Sequence, residues 1–155
     1  MVKIKNRYYI IRMITNDGSE PDVRKGQIFQ EIIRHTSEMF GDYGYSLVKM
    51  SLSVRVIDED VIVMRVAAAG EKFVSAIIPC VLKVGNQPMI LNTLFTGRSM
   101  RSCEKRLIEI RREELHSKLR TCTNPAERTT LLTSIRDICG KPGRIFDESI
   151  IKNDS

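Results

Sequence analysis

The sequence has no run of 18 or more apolar residues, and its opening stretch, MVKIKNRYYIIRMITNDG, has neither a long apolar core nor a small-residue cleavage site. The expectation is therefore a soluble intracellular protein with no membrane partner. Cys80, Cys103, Cys122 and Cys139 are widely and unevenly spaced, with no Cys-x-x-Cys pair to form half of a zinc site. They read as reduced thiols packed as small hydrophobes. Only two histidines occur, His35 and His116, far apart and without a recognisable motif around either. Also missing are a Gly-x-Ser-x-Gly elbow, a Gly-rich phosphate loop before a Lys-Ser/Thr pair, and a His-Glu-x-x-His helix. No catalytic residue, metal ligand or protein-bound cofactor is expected.

What is present is apolar material and positive charge. With 155 residues, 42% apolar content and nine glycines, the chain suits one compact domain with one core. The formal charge of +6 and the pI near 9.3 favour a polyanionic partner. Charge alone does not separate nucleic acid from lipid or from simple solubility, so its arrangement must decide.

Along the chain, RYYIIRMI at residues 7 to 14 predicts a buried strand, and residues 23 to 40 repeat apolar side chains at helical spacing up to the stop at Gly41. YSLVKMSLSVRVI alternates, with Val48, Met50, Leu52, Val54 and Val56 on one face, and predicts a second strand. VIVMRVAAAG, after the acidic turn DED, reads as a central strand apolar on both faces. Residues 71 to 84 predict a buried helix kinked at Pro79 and ended by Gly85, and QPMILNTLFT a fourth strand. Two helices follow, with Ser99 able to cap the first and Asn124-Pro125-Ala126-Glu127 opening the second. Residues 1 to 140 are expected as one domain, with 141 to 155 a flexible tail.

The order strand, helix, strand, strand, helix, strand points to an α+β fold: a ferredoxin-like (RRM-like) split βαβ antiparallel sheet backed by two helices, with extra C-terminal helices. The third strand carries no aromatic residue, so the base-stacking platform of single-strand readers is missing. In this topology the start of the first strand lies beside the end of the fourth. Lys3, Lys5 and Arg7 then meet the segment carrying Arg98, Arg101 and Lys105 at one basic corner. Arg101, Lys105 and Arg112 share a flank of the following helix, next to an apolar flank of Cys103, Leu107 and Ile110. Gly97 and Ser99 at the turn would expose backbone donors to a phosphate. The competing reading is a solvated helix laced with ion pairs such as Arg106 with Glu109.

MVKIKNRYYI, GDYG at 41 to 44 and NTLFTGRSMRSCEK at 92 to 105 resemble the Pop-five family of protein subunits of ribonuclease P and RNase MRP, over roughly residues 1 to 122. The resemblance implies a non-catalytic subunit that braces a catalytic RNA during removal of the 5′ leader of precursor tRNA, and in processing of ribosomal RNA. It implies Mg2+ at that RNA, a TIM-barrel-like protein partner, and, from the long C-terminal extension, the nucleus and nucleolus. The site residues it carries over are Lys3, Lys5, Asn6, Arg7 and Tyr8, and Gly97, Arg98, Arg101 and Lys105. The alternative is a ferredoxin-like interaction or ligand-sensing module without RNA. A protein ribonuclease would need an acid or base that the sequence does not supply.

Overall fold

The computed structural model describes residues 5 to 140, so Lys3 and the expected tail, 141 to 155, lie outside the described residues. The chain divides into two compact units, one up to Ser99 and one from Met100.

The first unit contains strand β1 (Asn6–Thr15), helix α1 (Lys25–Lys49), strands β2 (Ser53–Asp58) and β3 (Val61–Ala67), helix α2 (Glu71–Ile77), and strands β4 (Lys83–Val84) and β5 (Gln87–Gly97). Every pairing is antiparallel, in the order β2-β3-β1-β5-β4. The first four strands in that order are the ferredoxin-like arrangement. β4 is a two-residue addition at the edge of β5.

Alternation along the strands builds the core. Tyr9, Ile11 and Met13 of β1, Ile62, Met64 and Val66 of β3, and Met89 and Leu91 of β5 pack with Ile28, Ile32 and Val48 of α1 and Val74 and Ile77 of α2. On the opposite face Tyr8, Ile10, Val61 and Val63 are buried as well, which explains why β3 reads as apolar on both sides. Phe40 meets Phe73 edge to face at 4.9 Å and ties α1 to α2.

Three sequence expectations need correction. α1 does not end at Gly41: the backbone breaks there (φ 61, ψ −158) and the helix resumes to Lys49. The second strand therefore begins at Ser53, and its expected first residues are helical. The alternating pattern was ambiguous because Gly44 and Val48 are also spaced for one helix face, and Val48 is fully buried there while Met50 is 88% exposed. GDYG has a physical basis in this kink. Gly41 takes a conformation open essentially to glycine, and a Cβ at Gly44 would stand 2.5 Å from that of Phe40.

The third correction concerns residues 71 to 84. Pro79 ends the helix instead of kinking it: a 3-10 turn covers Ile78–Cys80, Val81 is extended, and the chain turns at Gly85 so that Lys83 and Val84 pair with Pro88 and Gln87.

The second unit holds α3 (Met100–Thr121) and α4 (Pro125–Gly140). Asn124 caps α4, its Oδ1 accepting from the Ala126 N–H at 3.1 Å. Leu131, Ile135 and Ile138 of α4 are half-buried and Leu132 is 48% exposed. Among the described thiols only Cys103 packs as a buried hydrophobe; Cys122 is half-buried and Cys80 exposed.

Gly41→Ala is expected to lower stability by about 1–3 kcal/mol. Gly26→Ala, in the same helix with open space around it, is expected to raise stability by about 0.5–1 kcal/mol. Urea denaturation of the two variants checks both signs.

Candidate nucleic-acid interface

The register of β1 delivers part of the expected corner. Asn6, Arg7 and Tyr8 pair with Ala67, Val66 and Arg65 on one side, while Tyr8 lies opposite Gly97 on the other. The start of β1 and the end of β5 are thus neighbours, as the topology predicts. Lys5 is exposed and its carbonyl accepts from the Ala68 N–H at 2.7 Å. Asn6 is half-buried, and Arg98 and Ser99 are exposed in the bend after β5. Gly97 is the last paired residue of that strand and is buried, so the turn falls on Arg98 and Ser99.

Two residues of the opening segment are committed to the fold. Tyr8 is 3% exposed, so its ring is not offered to a base. Arg7 donates from Nε to Glu71 Oε2 at 2.9 Å, with the side chains 21% and 34% exposed. Glu71 opens α2, and its backbone carbonyl accepts from the Tyr9 hydroxyl at 3.1 Å while Ser75 Oγ lies 2.9 Å from the same hydroxyl. Burial pushes the Tyr9 hydroxyl above its ordinary value; the Ser75 hydrogen bond opposes that, and the Glu71 charge adds to it. Arg7, Glu71, Tyr9 and Ser75 together clamp the start of α2 to β1. Sequence reading missed this because Glu71 is 64 positions from Arg7 and no local pattern links them.

In the second unit, α3 buries Met100, Cys103, Glu104 and Leu107 and leaves Arg101, Lys105 and Arg112 exposed. Those three lie on one flank at 100° per residue. On another flank Arg106 pairs with Glu109 at 2.9 Å and approaches Glu113 at 3.9 Å, so the ion-pair reading holds there. Among the described residues no carboxylate pairs with Arg98, Arg101, Lys105 or Arg112. An open groove of about 490 Å³ within this unit is lined by Lys118, Thr121, Cys122, Glu127, Thr130 and Leu131.

Among the described residues, no three His, Cys, Asp or Glu side chains gather closely enough to hold a metal ion. No described helix is long and apolar enough to cross a membrane.

The model of the Rpp14/Pop5 family matches residues 7–108. The chain is 25% identical over 146 residues to a cattle protein named ribonuclease P/MRP protein subunit POP5, covering 90% of this chain and 86% of that one. The human protein of the same name is 24% identical over 146 residues, with 90% of each covered. A chain in the cryo-EM structure of yeast ribonuclease MRP superposes with a TM-score of 0.51 at 13% identity, covering 76% of this chain and 98% of that chain. This last likeness concerns the fold.

A double-mutant cycle on Arg7→Ala and Glu71→Ala is expected to give a coupling of about 0.5–1 kcal/mol in stability, since the pair is partly screened. Because the Tyr9 hydroxyl is raised in the folded state, its contribution is intact below the ordinary value of 10.0 and is lost as pH climbs through the folded value. Stability measured between pH 8 and 11 should fall less steeply in Tyr9→Phe, which itself costs about 1–2 kcal/mol at neutral pH.

Proposed function

Because the chain belongs to the Rpp14/Pop5 family, we propose that it serves as a non-catalytic protein subunit of the ribonuclease P ribonucleoprotein, shared with RNase MRP. Its work is to brace the catalytic RNA. The observation that carries this reading is a set of exposed cations with no carboxylate partner among the described residues: Arg98 after β5, and Arg101, Lys105 and Arg112 on one flank of α3.

Folded RNA brings phosphates together against their mutual repulsion, and fixed guanidinium and ammonium groups lower that cost while releasing condensed counterions. Cations already paired with protein carboxylates supply little of this. Unpaired ones supply it in full.

Phosphodiester cleavage then belongs to the RNA and its Mg2+, and the substrates are precursor tRNA, at its 5′ leader, and precursor ribosomal RNA. A TIM-barrel-like subunit is the protein partner, and the particle works in the nucleus and nucleolus. The names of the cattle and human relatives support membership of such a particle.

The test is recovery of the tagged chain from native cells, sequencing of the accompanying RNA, and assay of the eluate for precursor-tRNA cleavage before and after micrococcal nuclease. A structured RNA and nuclease-sensitive cleavage are expected. Protein partners without RNA would replace this reading with an interaction module, and cleavage surviving nuclease would place the active site in protein.

A further inference from the structure

We infer that the flank of α3 bearing Arg101, Lys105 and Arg112 binds the sugar-phosphate backbone of double-stranded RNA without reading sequence. The inference rests on the RNA-bracing reading and adds the class of RNA and the manner of its recognition.

Four observations carry it. The three cations are exposed, and no described carboxylate neutralises them, whereas Arg106 on another flank is held by Glu109 and Glu113. They stand on one continuous helix, so their positions are fixed along a line of about 16.5 Å (eleven steps of about 1.5 Å). A rigid line of charge suits a polyanion whose phosphates are already in place; a flexible strand would have to be ordered to match it.

The third observation is that α3 has no Phe, Tyr or Trp and that its single ring, His116, lies one turn beyond Arg112, so the stretch from Arg101 to Arg112 has no aromatic ring on which unpaired bases could stack. The flank also lacks the amide side chains that read base edges, and Ile108, between Lys105 and Arg112, is aliphatic. The fourth concerns the alternative platform. Tyr8 and Tyr9, the aromatics of the central strand, are 3% and 1% exposed, so β1 offers no stacking surface in place of α3. What remains is phosphate contact, which with shape and 2′-hydroxyl contacts across the minor groove is how A-form helices are recognised.

The experiment compares the full chain binding an RNA hairpin of about 16 base pairs with an oligouridine strand of equal nucleotide count, followed by fluorescence anisotropy from 50 to 200 mM KCl. The hairpin is expected to bind at least about tenfold more tightly, with little change when its base pairs are permuted. Arg101→Ala, Lys105→Ala and Arg112→Ala combined should reduce the log–log salt slope by about two to three, at roughly 0.9 per lost contact. Arg106→Ala should leave the slope unchanged, and far-UV circular dichroism confirms that each variant is folded.

Equal or tighter binding of oligouridine, an unaltered slope in the folded triple variant, or no binding to either RNA at 50 mM KCl would overturn the inference. RNA recovery from cells is scored separately: if a structured RNA still accompanies the chain, only the duplex assignment fails, and if none does, the bracing role fails with it.

Discussion

β1 is hydrogen-bonded along both edges, to β3 on one side and β5 on the other, and the rest of the first unit depends on that double pairing. It sets the inward face of Tyr9, Ile11 and Met13, against which α1 and α2 close. It also sets the register that lays Tyr8 against Gly97, so that the first and last segments of the sheet share one end. A one-residue slip would turn the inward side chains to the other face and dissolve that proximity.

From this constraint follows a division among the basic residues. Arg7, inside the paired strand, reaches Glu71 and clamps α2 together with the Tyr9 hydroxyl and Ser75. Its charge is spent within the protein. Arg98, past the last paired residue, has no described carboxylate partner, and neither do Arg101, Lys105 and Arg112 on α3. A formal charge of +6 is therefore less informative than its distribution, since only uncompensated cations contribute fully to polyanion binding.

Much of the fold was legible in the sequence because β1, β3 and β5 carry β-branched and apolar residues bounded by turn signals, and their order admits few topologies. The misreadings lie where two periodicities coincide or a breaker has two meanings. Val48 and Met50 fit a strand locally, but a glycine kink lets the helix continue and bury Val48. Pro79 could kink or terminate, and the pairing of Lys83 and Val84 with β5 made it a terminator. At the candidate interface the exposed flank of α3 followed from helical spacing alone. The commitment of Arg7 and Tyr8 to the fold did not, because it depends on neighbours brought together only by the sheet.

The most direct measurement is ultraviolet cross-linking of the assembled native particle, with the nucleotide-bearing peptides of this chain located by mass spectrometry. Nucleotide adducts within the stretch from Arg98 to Arg112, and none on Tyr8, are expected. RNA adducts confined to other surfaces of the chain, or a particle in which this chain carries none, would contradict a bracing role for that basic flank.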